Sequence, residues 1–237
     1  MKQKQICLVA VAILVFSLVF EPTLRRMSLP VFSQQRETRV LIDPGHGGID
    51  GGAIGVTGVV EKEINLEISK KLADLFAFCG VSTCMTRTED QMQAGGKKGD
   101  TKARVALADD LVDGTLISVH LNFYPQESCH GAQVFYSRQN QASEPLAKTI
   151  QTSLVTGLDP KNHRVAKQAG REIYLLQHVH CPAVLVECGF LSNYEEERKL
   201  TQAAYQTQIA LCVAAGYLTF TNEWSGAGEG ENDFCMQ

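Results

Sequence analysis

Between residues 39 and 220, short β-branched runs alternate with longer amphipathic segments, and this alternation constrains the fold more than any other feature. Strands are expected at Arg39–Asp43, Val81–Thr86, Thr115–Val119, Ala132–Tyr136 and Ala183–Glu187. The helix expected over Glu61–Cys79 carries Ile64, Ile68, Leu72, Leu75, Phe76 and Cys79 on one face, with Glu67, Lys70, Lys71 and Asp74 on the other. Gly80 stops it. Asp90–Asp100, with Gly95, Gly96 and Gly99, reads as a polar loop before a helix at Thr101–Leu111. Ser143 is expected to cap a helix whose first turn holds Pro145, Ile173–Leu176 is a short apolar segment, and helices start at Tyr194 and Ala203. Strands separated by helices need crossovers, which place helices on both faces of a parallel sheet. The fold class is therefore α/β: a single domain with a central, twisted, mostly parallel sheet of about six strands and helices on both faces. Strand order is not readable from this pattern.

The flanks are different in kind. Ile6–Phe20 is an uncharged run of 15 residues preceded by Lys2 and Lys4. A membrane span needs ~20 apolar residues, so the run reads as an export signal, yet its best small-residue cleavage site is Val31-Phe32-Ser33, well downstream. A cleaved signal and a membrane anchor stay equally open, and both send the rest of the chain across the membrane. Cys7 precedes the apolar run, which argues against a lipoprotein. Residues 1–38 are thus leader and linker, 39–220 the folded domain, and 221–237, with alternating Gly and Glu, a solvated flexible tail. With 44% hydrophobic residues the domain can bury a substantial core. A net charge of -4 argues against nucleic acid as the main partner. Of 8 cysteines, Cys7 falls in the leader, so the remainder is odd and a complete disulfide framework is excluded. Without a CxxC pair, a four-cysteine zinc site has no support, and Cys79 with Cys84 is the one pair worth testing for a bridge.

Chemistry concentrates at the ends of the strands. Asp43-Pro44-Gly45-His46-Gly47-Gly48-Ile49-Asp50-Gly51-Gly52 follows one strand and precedes a helix, where α/β proteins place ligand sites. A dinucleotide loop needs a third glycine where Asp50 stands, and no Gly-Lys-Ser/Thr follows. The turn instead offers an imidazole, His46, and nearby carboxylates. His120 and Glu187 emerge at the ends of two other strands, and Glu61 opens the long helix. Two imidazoles and one carboxylate suit a catalytic zinc with an open position for water, leaving Glu187 to take a proton. His130, His163, His178 and His180 compete for the ligand role, the last two alternating along an expected extended stretch with no carboxylate adjacent in sequence. Lys97-Lys98 and the run Glu195-Glu196-Glu197-Arg198-Lys199 read as solvated, although the lysines could meet an acidic polymer.

Four blocks in order carry a resemblance: Val40-Leu41-Ile42-Asp43-Pro44-Gly45-His46-Gly47-Gly48 with Asp50-Gly51-Gly52-Ala53, Glu61-Lys62, Ser118-Val119-His120-Leu121-Asn122, and Val186-Glu187-Cys188-Gly189-Phe190-Leu191-Ser192-Asn193. Together they resemble the zinc-dependent N-acetylmuramoyl-L-alanine amidases of the Amidase_3 type over about Arg39–Phe220. The resemblance implies a Zn2+ held by His46, Glu61 and His120, with Glu187 as catalytic glutamate. Glu63 rivals Glu61 by type, but the block's Glu-Lys pair falls on Glu61. A looser resemblance is to the CwlD-type germination-specific amidases, through the short hydrophobic N-terminus, the lack of an added wall-binding module and the Lys-Gly loop leading into Lys102-Ala103-Arg104-Val105. It implies an exported enzyme that acts on spore cortex peptidoglycan and prepares muramic acid for δ-lactam formation. Peptidoglycan is the expected partner, with a membrane contact through the N-terminal segment. No long insert separates His120 from Glu187, which leaves control to a regulatory protein or to metal loading rather than to an autoinhibitory helix. A vegetative wall amidase, another zinc hydrolase such as a peptidase, and a non-catalytic wall-binding protein are the alternatives.

Overall fold

A computed structural model of the chain describes residues 40–111 and 113–230. In chain order the elements are β1 (Val40–Pro44), α1 (Glu61–Phe78), β2 (Thr83–Met85), α2 (Gly96–Asp109), β3 (Thr115–Asn122), β4 (Gln133–Tyr136), α3 (Ser143–Leu158), β5 (Lys167–Gln168), α4 (Tyr174–His178), β6 (Ala183–Phe190), α5 (Tyr194–Leu200) and α6 (Ala203–Gly230). The six strands form one sheet in the order β2-β1-β3-β6-β4-β5. Only β4 and β6 pair antiparallel; the other neighbours run parallel. The α/β architecture matches the sequence expectation, with β5 as a strand too short to announce itself.

Strand periodicity divides the core into two layers. Val40, Ile42, Ile117, Val119, Leu121, Val184 and Val186 face a large cluster built with α1, α3 and α6. Leu41, Leu116, Ala183 and Leu185 face a smaller cluster with Ala108 of α2 and Leu175 and Leu176 of α4. On this second face the alternate positions turn polar toward the carboxyl ends of the strands: Leu41 is followed by Asp43, Leu116 by Ser118 and His120, and Leu185 by Glu187. Register aligns them in rows. Asp43 lies beside Ser118 and Ser118 beside Leu185, while His120 lies beside Glu187 and Glu187 beside Gln133.

Several local expectations differ from the structure. The second helix begins at Gly96, five residues early, because Asp100 accepts the Gln93 N–H and pairs with Arg104 at 2.8 Å, anchoring a glycine-rich first turn. β3 runs on to Asn122, past an irregularity in register after His120. Ser143 makes no cap; it lies inside the helix, and its hydroxyl accepts the Ala183 N–H at 3.0 Å. The Ile173–Leu176 segment lies in and beside the short helix α4. The tail expected from residue 221 is helical through Gly230, with the Trp224 ring 5.6 Å from that of Phe220. Cys79 and Cys84 are both free and exposed, so the one candidate bridge is not formed. The leader, the linker, Arg39 and residues 231–237 lie outside the described residues. Among the described residues no helix is long and apolar enough to cross a membrane.

α3 and α6 meet closely at a glycine. A Cβ added at Gly216 would lie 2.5 Å from the Cα of Ile150, a backbone atom that cannot rotate away. Gly216→Ala is expected to push the two helices apart and lower stability by about 1–3 kcal/mol, as overpacked cores do. Urea denaturation measures this, and an unchanged midpoint would show that the helix pair separates freely.

Candidate metal centre

The turn that carries the chain from β1 to α1 is held from below by two arginines. Arg87 and Arg104 are 1% and 4% exposed. Arg87 donates to the carbonyls of Pro44 (3.0 Å), Gly45 (2.9 Å) and Lys62 (2.8 Å). Arg104 donates to those of Pro44 (2.8 Å) and His46 (2.6 Å) and pairs with Asp43 and Asp100. Three successive carbonyls of the turn thus point at guanidinium groups. Asp43 also accepts from Thr86 and Ser118, each at 2.7 Å. Burial alone would raise the Asp43 pKa, but Arg104 and these two hydroxyls hold it below the ordinary carboxylate range.

Clamped in this way, His46 adopts a left-handed backbone (φ 62°), which side-chain-bearing residues seldom occupy. Gly45 sits so close beneath His120 that a Cβ there would come within 2.3 Å of the imidazole, so only glycine fits. His46 and His120 approach edge to face, their ring centroids 4.9 Å apart.

Glu61 joins the two imidazoles. As the first residue of α1 it is 3% exposed, and its carboxylate lies 3.2 Å from His46 Nε2 and 3.1 Å from His120 Nδ1. Three further groups orient it: the N–H of Ala53 (2.8 Å), the N–H of Leu121 (3.1 Å) and the amide of Asn65 one turn along the helix (3.1 Å). Burial works against the charged form, yet the flanking histidines hold the Glu61 pKa well below the ordinary value. One donor atom from each of His46, Glu61 and His120 lies within 4.8 Å of the others. Two imidazole nitrogens and a carboxylate oxygen converging on one point are a ligand set suited to zinc, and three protein donors leave a further position for water.

Around these donors lies a supporting layer. Asp50 Oδ2 is 2.9 Å from His46 Nδ1, and Asp50 Oδ1 is 2.6 Å from Lys97 Nζ. A carboxylate on one ring nitrogen directs the other toward a metal. Burial raises the Asp50 pKa, but the hydrogen bonds from Lys97 and His46 outweigh it and bring it down to about 2. Lys62 links the same turn to Asp90, donating to the Gly48 carbonyl at 2.8 Å and to Asp90 at 2.6 Å.

Glu187 stands in the adjacent register position to His120. Its Oε2 is buried and has no hydrogen-bond partner among the described residues. Burial, reinforced by the negative charge of Glu61 and opposed by His120 and His46, pushes its pKa up to about 7. A carboxyl group near that value can both take and return a proton at neutral pH.

The competing histidines are elsewhere. His178 ends the short helix α4 rather than lying on an extended segment, with Nδ1 2.8 Å from the Tyr174 carbonyl, while His180 sits 3.1 Å from Asp109. Glu63 is exposed and absent from the cluster. Glu197, expected on a solvated helix face, is instead buried and accepts hydrogen bonds from Thr57. Asn65, Arg87 and Arg104 also support the site, and no local sequence motif marks them. Asn65 was accessible from its position four residues after Glu61 on one helix face; the arginines reach the turn only through tertiary folding.

Comparison with known proteins agrees with this geometry. Residues 40–218 match the family model described as N-acetylmuramoyl-L-alanine amidase, Amidase_3. The chain is 35% identical over 192 residues to the germination-specific N-acetylmuramoyl-L-alanine amidase of Bacillus subtilis (strain 168), covering 78% of this chain and 80% of that protein. It is 32% identical over 183 residues to the amidase LytC of the same organism, an alignment that spans 76% of this chain and 35% of LytC. Among solved structures, the CwlD amidase from Clostridioides difficile, determined in complex with the GerS lipoprotein, superposes with a TM-score of 0.74 at 34% identity, covering 78% of this chain and 98% of that one. The sheet, the clustered donors and the match across most of its length together place the chain in the Amidase_3 family of N-acetylmuramoyl-L-alanine amidases.

Proposed function

We propose that this amidase uses zinc to hydrolyse the amide between the lactyl group of N-acetylmuramic acid and L-alanine, and that its substrate is spore cortex peptidoglycan. The observation that carries the chemistry is the convergence of His46, Glu61 and His120, with the buried Glu187 Oε2, which has no hydrogen-bond partner among the described residues, in the next strand position. The cortex assignment rests on likeness to the germination-specific enzyme of Bacillus subtilis and to the Clostridioides difficile CwlD structure. Removal of the side chain there leaves muramic acid ready for δ-lactam formation. Cell-wall chemistry puts the enzyme outside the cytoplasm, delivered by its N-terminal segment as a secreted or membrane-anchored protein. The neighbour's complex with a lipoprotein favours a protein partner here too.

His46, Glu61 and His120 would hold the zinc. Bound there, it supplies a Lewis acid that polarises the carbonyl and brings the pKa of water toward ~7. Glu187 then takes the proton of the attacking water on its buried oxygen and returns it to the amine of L-alanine as that group leaves. Asp50 keeps His46 turned toward the centre, and Asn65 with the Ala53 and Leu121 N–H groups keeps Glu61 fixed while charge develops nearby.

Glu187→Gln is expected to lower kcat on muropeptides at least about 10²–10⁴-fold, the usual contribution of a positioned acid–base, with metal content by elemental analysis unchanged. Loss of metal in this variant, or retained turnover, would remove Glu187 from the role of base. Chelation should abolish activity, and added zinc should restore it. His46→Ala should bind no stoichiometric zinc at neutral pH, and zinc retention by that variant would reject the ligand set. Mass analysis of digested cortex sacculi should show free stem peptides beginning with L-alanine. Intact sacculi would favour a non-catalytic wall-binding protein, and cleavage inside the stem a peptidase.

A further inference from the structure

The row that contains His120 and Glu187 does not end at Glu187. Gln133 of β4 is its next member, directly opposite Glu187 in an antiparallel pair, and opposed side chains share a face. Gln133 in turn receives Arg164, whose Nη1 donates to its Oε1 at 3.2 Å. Arg164 is half-buried and fixed on three sides: its Nε donates to the His130 carbonyl at 2.8 Å, its backbone N–H to Asn162 at 3.0 Å, and its guanidinium carbon lies 4.6 Å from the Phe190 ring centroid.

What this guanidinium lacks is an anion. No carboxylate among the described residues lies within ion-pair distance of Arg164, and its Nη2 makes no hydrogen bond there. Glu196 approaches the same loop, but its oxygens accept from the N–H groups of Gly131 (3.0 Å) and Phe190 (2.8 Å). A cation held rigid by an aromatic face and a carbonyl, with one side of its fork free, is preorganised for a carboxylate.

Adjacent strands are ~4.8 Å apart, so Gln133 is about one strand spacing from Glu187, and the guanidinium is one 3.2 Å hydrogen bond beyond the Gln133 Oε1. An extended peptide advances ~3.3–3.6 Å per residue, so one strand spacing and a 3.2 Å hydrogen bond correspond to about two residues counted from Glu187. In a peptidoglycan stem the residue after L-alanine is a glutamate linked through its side chain, and its α-carboxylate is free or amidated. We propose that Arg164 is a specificity-determining residue that binds this α-carboxylate. The inference rests on the amidase reading of the same site and adds to it the charge state of the preferred stem peptide.

The test uses the full chain, wild type and the variants Arg164→Gln and Arg164→Lys, with synthetic L-alanyl-γ-D-glutamyl-L-lysine and its α-amidated counterpart. Calorimetric titration is expected to show the acid binding wild type about tenfold or more tightly than the amide, as a charge-assisted pair predicts. Arg164→Gln should collapse that ratio to about one by weakening the acid alone, and Arg164→Lys should keep part of it. On muropeptides the acid-to-amide ratio of kcat/KM should fall by a similar factor. Equal binding of both peptides by wild type, or a parallel loss on both in Arg164→Gln, would overturn the proposal and leave Arg164 as a structural strap. Because binding needs no turnover, an inactive wild-type protein would count against the amidase reading while the titration still decides this one.

Discussion

Everything at the carboxyl edge of the sheet depends on the two guanidinium groups buried beneath the β1–α1 turn. A turn that bends back over a strand leaves its carbonyls pointing inward, where each unsatisfied one would cost about 1–3 kcal/mol. Arg87 and Arg104 satisfy the carbonyls of Pro44, Gly45 and His46, and Asp43 and Asp100 compensate the charge of Arg104. Buried ion pairs are weak sources of net stability, because desolvation offsets their attraction. Their value here is geometric. The same contacts that satisfy the turn hold His46 in its left-handed conformation, so the position of one candidate metal donor is set by buried side chains outside the cluster.

Two kinds of support therefore meet at the centre. His120 and Glu187 come from adjacent central strands, where ladder hydrogen bonds fix their spacing to within the tolerance of a sheet. His46 and Glu61 come from a glycine-rich turn and the helix it leads into, an inherently softer arrangement. The softness is removed by hydrogen bonds: Asp50 on His46, and Ala53, Asn65 and Leu121 on Glu61. Leu121 matters most among these, since its N–H belongs to β3 itself and ties the helical donor to the strand that carries His120. Donors from separate elements can then converge on one candidate site.

The division between what was legible in the residues and what was not follows the range of the interactions. Periodicity reports burial, so the strands bearing Ile42, Ile117 and Val184 and the helix bearing Ile64, Ile68 and Leu72 were readable one element at a time. The residues at strand ends, His46, His120 and Glu187, could be singled out because position after an apolar run is itself local information. Strand order was not readable, since β1 lies between β2 and β3 and β6 lies between β3 and β4 through pairings that leave no mark along the chain. The glycine-rich start of α2 reads as a loop by propensity, and only the tertiary bonds of Asp100 to Gln93 and Arg104 make it helical. Ser143 has the chemistry of a cap but spends its hydroxyl on Ala183 in a neighbouring strand, a partner 40 residues away.

Glu187 shows how burial and neighbouring charge together set the proton affinity of a strand-end carboxyl. It stands on a strand whose other residues are apolar, where an ionised carboxylate with a vacant oxygen is costly and is pushed toward the neutral form. His120 and His46 oppose that shift and Glu61 reinforces it, so the proton affinity of Glu187 is set by a balance between neighbours rather than by its own environment. Adding a cation among those neighbours tilts the balance toward the carboxylate, and drawing charge off them tilts it back. A group poised in this way changes its affinity for a proton as the charge beside it changes, the property required of any side chain that serves first as base and then as acid. The same burial that makes Glu187 expensive to the fold is what makes it responsive.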